Sequence, residues 1–280
     1  MSVPNSCVNL KKAIEKYCGD KLDPLRIGRA MANVVLGQML PEGVVKGGSS
    51  LMFRYGGAAT RYTRDVDTAR IEDIEVYIEK LRANLEKGWC GFTGKAVKVD
   101  PPAPPSIPPA YLMIPYDVKL NYNHKPWQTV RIEIGHNEIG DANDGEYELT
   151  EDMAAAFTAL GFPCPNKICV MKVSHQIAQK LHAVSEPGNI RAHDLIDLQL
   201  VCTKTPVDFA ETLSVCKRLF AYRKKQPWPP TIIKGDDWDT FYAKALANVI
   251  EKSSLLSTVD EAIAWANDLI AKINAAGENE

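Results

Sequence analysis

No stretch of the 280-residue sequence reaches the length of about 18 consecutive apolar residues that a membrane-spanning helix needs. The first residues, Met-Ser-Val-Pro-Asn-Ser, lack a basic region followed by an apolar core, so no secretory signal is expected there. A cytoplasmic protein without a membrane partner is the expectation. Charge of one sign is also lacking. The formal net charge is −2, so no global positive field draws in nucleic acid, and any RNA contact must come from a local basic patch. There is no internal repeat. Seven cysteines form no disulfide framework, being odd in number, and Cys164-Pro-Asn-Lys-Ile-Cys169 is too wide for a zinc knuckle and has no second pair. Free thiols in a reducing compartment follow. With 45% hydrophobic and 24% charged residues, the chain is also far from the disordered class.

What the sequence does have is concentrated between Val44 and Thr68. An apolar pair, Val44-Val45, runs into Gly47-Gly48-Ser49-Ser50, and a short amphipathic segment with Leu51, Met52 and Tyr55 follows. The glycines let backbone N–H groups approach a phosphate, and a helix starting at Ser49 would aim its positive end there. After Gly56-Gly57 comes Tyr62-Thr-Arg-Asp-Val-Asp-Thr-Ala69. On a strand, residues i and i+2 share a face, so Asp65 and Asp67 project side by side. Two carboxylates that close repel unless a cation sits between them, and Mg²⁺ accepts such oxygen ligands together with substrate phosphates.

A phosphate cradle followed by metal-holding acids resembles the signature of polymerase-β-like nucleotidyltransferases. More specifically, the chain is similar to the AbiEii family of toxin nucleotidyltransferases, which includes the MenT toxins. The matching pieces are Lys46-Gly-Gly-Ser-Ser-Leu, Arg54-Tyr55, Arg61-Tyr-Thr-Arg-Asp-Val-Asp67, Gln176-Ile-Ala-Gln-Lys-Leu-His-Ala183 and Arg191-Ala-His-Asp-Leu-Ile-Asp-Leu198. They stand in the family's order and span more than half the chain. The last departs from the family's Arg-x-Lys-Asp-Leu-x-Asp-Leu, with His193 where Lys is usual.

Helices are expected over Leu10–Cys18, Pro24–Leu40 and Ile71–Lys87, and strands over Lys95–Val99, Tyr111–Tyr122 and Thr129–Ile134. A turn at His124-Lys-Pro-Trp127 separates the last two strands. The proline run after Asp100 excludes helix and inner strand, and reads as a stiff surface connection. From Thr150 the pattern is helical: Thr150–Leu160, Val170–Ser185, Arg191–Thr203, Pro206–Arg223, Asp237–Ser253 and Val259–Asn274. The reading is therefore α+β. The resemblance implies a polymerase-β-like nucleotidyltransferase lobe with a mixed sheet over residues 1–160. A mostly helical nucleotide- and acceptor-binding lobe over residues 161–280 would follow, with a cleft between the two.

By the same resemblance, Asp65 and Asp67 hold Mg²⁺. Glu133, on a later strand, would complete the metal site or take the acceptor's proton, although Arg131 on the same face could simply pair with it. Gly47, Gly48, Ser49 and Ser50 would contact the β- and γ-phosphates. Lys180 takes the place of the second-lobe lysine that grips the nucleotide. It lies in a helical stripe with Gln176, Gln179 and Ala183. Asp194 falls on the family's functional acid, with Asp197, one turn on, as the alternative.

Lys217, Arg218, Arg223, Lys224 and Lys225, beside Trp228, form the densest basic cluster. They are candidates for RNA contact by charge and stacking. The resemblance implies transfer of a nucleoside monophosphate from an NTP to RNA, with the 3′ end of tRNA as the acceptor. The protein would then be the toxin of a toxin–antitoxin or phage-defence (abortive infection) pair, with a cognate antitoxin as partner. In some MenT-type systems that antitoxin is a kinase. Thr63 is the candidate for such phosphorylation, since on a strand it would face the same way as Asp65 and Asp67. The alternatives are nucleotidylation of a protein or a small molecule, and a non-catalytic nucleotide-binding regulator.

Overall fold

The computed structural model describes residues 2–100 and 113–277. The proline run after Asp100, and residues 111 and 112 of the strand expected beyond it, lie outside the described residues. The chain divides into two compact units. The first comprises Met1–Gly57, Tyr62–Asn137 and Ala142–Val170; the second comprises Ala58–Arg61, Glu138–Asp141 and Met171–Glu280.

The first unit opens with helices α1 (Cys7–Cys18) and α2 (Pro24–Gly37). Asp23 caps α2 by accepting from the Leu25 N–H at 2.9 Å, and Pro24 sits where a helix has no use for an N–H. Then come β1 (Gly43–Lys46), α3 (Gly47–Tyr55), β2 (Asp65–Arg70), α4 (Ile74–Lys87), β3 (Phe92–Lys98), β4 (Ile114–Tyr122) and β5 (Lys125–Gly135). Next are β6 (Gly145–Glu148), α5 (Glu151–Ala159) and β7 (Ile168–Met171). The strands form one mixed sheet in the order β3-β4-β5-β2-β1-β7-β6. β2 is the hinge of its logic: antiparallel to β1, parallel to β5. Val66 of β2 pairs with Ile132 of β5 in a core that also takes Met31, Val34 and Val35 of α2. Burying that face turns the alternate residues of both strands to the other.

The helix expected over Asp237–Ser253 ends at Ala247, and three features of the first unit also differ from the sequence expectations. β5 begins at Lys125, because Asn123 and His124 alone make the turn, with φ of 46° and 63°. Two left-handed residues are the natural two-residue hairpin. The four-residue strands β6 and β7 were not foreseen; the helix expected from Val170 starts at Val173, and Ile168–Met171 pairs with β1 instead. The strand expected to carry Thr63 begins only at Asp65.

The second unit is built from α6 (Val173–Ser185), α7 (His193–Lys204), α8 (Phe209–Arg223), α9 (Trp238–Ala247) and α10 (Val259–Ala275). α6 packs on α7 and α8, and α10 on α7, α8 and α9. α10 starts with a full capping box, Thr258 with Glu261. Among the described residues no helix is long and apolar enough to cross a membrane.

Candidate active site

Strand register brings the charged residues of the first unit into two rows across the sheet. In the first row Lys46 of β1 is level with Asp67 of β2, and Asp67 with Glu133 of β5. In the second row Asp65 is level with Arg131, and Arg131 with Asp117 of β4. Laterally paired residues share a face and stand about 5 Å apart at their Cβ atoms. Arg131 directs its Nε to Asp117 Oδ1 at 2.7 Å rather than pairing with Glu133. Glu133 is half-buried, and its carboxyl is pushed up by burial and then by the charges of Asp67 and Asp65, with Arg131 and Lys46 opposing. Lys46, which the sequence reading used only as part of a motif, is thus the cation of the acidic row. Its signal was its place directly before Gly47.

The glycine-serine segment is shaped around Asp67. Gly47 has φ of +63°, and a Cβ there would collide with Asp67 Oδ2 and lie 3.1 Å from its Cγ. Glycine suits both the left-handed backbone and the close neighbour, since a side chain here would have to displace the Asp67 carboxylate. α3 starts at Gly47, and the side chain at its N-cap position, Lys46, makes no capping bond. Ser49 and Ser50 are fully buried. The Ser49 hydroxyl donates to the Asp65 carbonyl at 2.7 Å, tying α3 to the start of β2, and Ser50 donates to the Gly47 carbonyl at 3.2 Å. The backbone of this segment is therefore what can meet a ligand. Thr63, half-buried in the coil before β2, donates from Oγ1 to the Asp65 carbonyl at 3.3 Å.

In the second unit a chain of alternating charge is buried. Lys180 of α6 is 5% exposed, and its Nζ lies 2.9 Å from Asp194 Oδ1 and 2.6 Å from Asp197 Oδ2. Arg61 grips Asp197 through Nε at 3.0 and 3.1 Å and Nη2 at 3.0 Å. Arg191 donates from Nε to Asp194 Oδ2 at 2.7 Å. Burial alone would raise both aspartates, but Lys180 with Arg191 at Asp194, and Arg61 with Lys180 at Asp197, outweigh it and hold both below the usual carboxylate range. Asp194 and Asp197 share one face of α7, so both serve the cluster. Gln179 reaches Asp141 at 2.8 Å, so its end of the polar stripe on α6 is also engaged within the unit. His193 lies 3.8 Å from Asp194 Oδ1, and burial above all lowers its pKa to about 4. Neutral near pH 7, it leaves this position without the charge that a lysine would bring.

The basic cluster is less uniform than its sequence. Arg223 is committed to Glu138, at 3.2 and 2.6 Å, and Arg218 donates to the Ile139 carbonyl at 3.4 Å. Lys217, Lys224 and Lys225 are exposed and line a groove of about 490 Å³ floored by Phe220, Pro227 and Trp228. Among the described residues no group of three His, Cys, Asp or Glu side chains is arranged to hold a metal ion.

A sheet of this kind with a helical second unit is the build of a nucleotidyltransferase, and comparison with known proteins supports that class. A family model, "Nucleotidyl transferase AbiEii toxin, Type IV TA system", matches residues 29–267. The chain belongs to this family of nucleotidyltransferase toxins, which implies an NTP substrate and an antitoxin partner. No curated protein matches the sequence. Among solved structures, the fold is shared with MenT4, a nucleotidyltransferase toxin of Mycobacterium tuberculosis: 13% identity over 95% of this chain and 98% of that one, TM-score 0.50. JHP933 from Helicobacter pylori matches at 16% identity over 91% and 93% of the two chains, TM-score 0.46.

Proposed function

We propose that the protein transfers a nucleoside monophosphate from an NTP to a hydroxyl of an RNA, with the tRNA 3′ end as the acceptor, in the manner of a toxin restrained by an antitoxin. The observation that carries the reading is the row Lys46–Asp67–Glu133, with Asp65 one step along the same face. Asp65 and Asp67 would hold Mg²⁺. The donors fit a hard cation: all are carboxylates, Glu133 is raised partly by the other two, and Gly47 leaves room for Asp67 where a side chain would displace it. One or two carboxylates suffice when the substrate's phosphates complete the shell. Bound there, the ion would neutralise the triphosphate and orient it for in-line attack.

The chain's own groups divide the remaining work. The backbone at Gly47 and Gly48 opens α3 and would face the β- and γ-phosphates. Glu133, with its raised affinity for a proton, would accept the one leaving the attacking hydroxyl. The hydroxyl oxygen then bonds to the α-phosphorus, the bond to the β-phosphate oxygen breaks, and pyrophosphate departs. The cationic cluster around Lys180 would meet the nucleotide. For the acceptor, support comes from the groove of Lys217, Lys224, Lys225 and Trp228: exposed ammonium groups around an aromatic floor suit an unpaired, stacked base.

The test incubates the protein with total RNA, Mg²⁺ and each labelled NTP in turn. Label on a tRNA-sized band, weakened by Lys217→Glu with Lys224→Glu, is the expected result. Label on protein or on a small molecule, or no label with any NTP, would overturn the RNA reading.

A further inference from the structure

The cluster in the second unit raises the question of which of its cations can meet a phosphate. Lys180 is the poorest placed. Its side chain is 6% exposed and its charge lies between two fully buried carboxylates, with two of its three donors already used. Arg191 is the opposite case. Its side chain is 46% exposed, and among the described residues its Nη1 and Nη2 have no hydrogen-bond partner. The residue is nevertheless fixed at three points. Its N–H donates to Asn189 Oδ1 at 2.7 Å, its carbonyl accepts from the Asp194 N–H at 2.8 Å, and its Nε is held by Asp194 Oδ2 at 2.7 Å. A guanidinium locked through Nε presents its two remaining nitrogens as a planar fork, the shape that matches two oxygens of a phosphate.

We propose that Arg191 is the phosphate-binding residue of this cluster and that Lys180 is a positioning residue. Lys180 fixes Asp194 and Asp197 at one spacing, and Asp194 in turn aims Arg191. The three cations, Arg61, Lys180 and Arg191, exceed the two carboxylates by one charge. That excess is presented at the exposed end of the cluster, where Arg191 stands. The ligand class is the triphosphate of a nucleotide, so the inference rests on the nucleotidyltransferase reading and refines it.

The test measures binding of a non-hydrolysable NTP and of the corresponding nucleoside by calorimetry. Wild type, Arg191→Gln, Arg191→Lys, Lys180→Met and the double variant Lys180→Met with Arg191→Gln are compared. Arg191→Gln is expected to weaken NTP binding by about tenfold or more while leaving nucleoside binding unchanged, with the melting temperature lowered because Asp194 Oδ2 loses its donor. Arg191→Lys should restore it only in part, since an ammonium cannot form the fork. Adding Lys180→Met to Arg191→Gln should weaken NTP binding no further, because the lysine acts through the arginine. Wild-type NTP affinity in Arg191→Gln overturns the proposal, and so does full additivity in the double variant. If Lys180→Met fails to fold, the two Arg191 variants still decide. A wild-type protein that binds no NTP sinks the nucleotidyltransferase reading itself, which separates that failure from this one.

Discussion

The carboxylates of the sheet and those of the helical unit differ in what surrounds them. Asp65, Asp67 and Glu133 stand level on neighbouring strands, with Asp65 exposed and the other two half-buried. At Glu133 their like charge is opposed by Lys46 and by an Arg131 already turned to Asp117. Asp194 and Asp197 are wholly buried, and every oxygen accepts from a cation of the same unit. Like charges held together by backbone register favour a further cation, whereas alternating charges inside a helical bundle answer one another. The first arrangement costs the fold something and suits a ligand; the second is a scaffold with one outward arm.

The sharpest way to break this contrast is to remove one charge from each side. Asp197→Ala would leave Lys180 and Arg61 facing a hole, and should cost about 3–5 kcal/mol of stability, the usual penalty for orphaning a buried charge. Denaturant melts would show it, and an unshifted midpoint would mean the cluster is not what holds α6 to α7. Asp65→Ala or Asp67→Ala should do the reverse. Transfer should fall by at least about a hundredfold with the melting temperature unchanged or raised, since crowding is relieved. Near wild-type turnover in either variant would remove the pair from the mechanism.

A third effect depends on pH. His182, buried on α6 against Phe220, has its pKa lowered to about 4, first by burial and then by Arg223 and Lys225, with Glu138 opposing. The unfolded chain takes up this proton near pH 6.5, before the folded one does. Stability is therefore complete above about pH 6.5 and is lost as pH falls towards 4, by at most about 3 kcal/mol from this residue. His193 contributes in the same direction. His182→Phe should flatten the acid limb of a stability–pH curve, and an unchanged slope would count against the assignment.

The smallest change concerns Thr63, whose hydroxyl already bonds the Asp65 carbonyl. Thr63→Val should stay active and Thr63→Glu should lose about tenfold or more, by bringing a further negative charge to the acids. An active Thr63→Glu enzyme would end the case for control by phosphorylation here.

Most of the long elements could be read from the chain because periodicity and caps agree: α4 over Ile74–Lys87 with Gly88 behind it, α10 behind Thr258. The adjacency of Asp65 and Asp67 was likewise legible, since it needs only a strand. The misses have a common cause. Ile168–Met171 is an apolar run too short for periodicity to tell strand from helix, and Gly145–Glu148 is a polar edge strand with no pattern of its own. A strand drawn back to Thr63 overruns the start of β2 by two residues, and the face that Thr63 would share goes with it. What no spacing reveals is partnership at long range. Arg61 meets Asp197 across 136 residues, and Lys46 meets Asp67 only through antiparallel register. A lysine on a helix looks solvated until the fold shows two aspartates facing it.

Gly47 has a consequence at the level of the codon. Every missense change at a glycine codon adds at least a Cβ, and here that atom would strike the Asp67 carboxylate. A change there would act on the acidic row by displacing the Asp67 carboxylate rather than by removing it. Among survivors of forced expression, inactivating changes should therefore gather at codon 47 as well as at codons 65 and 67, in full-length, soluble protein. Gly47→Ala with wild-type turnover would show that Asp67 can shift to make room.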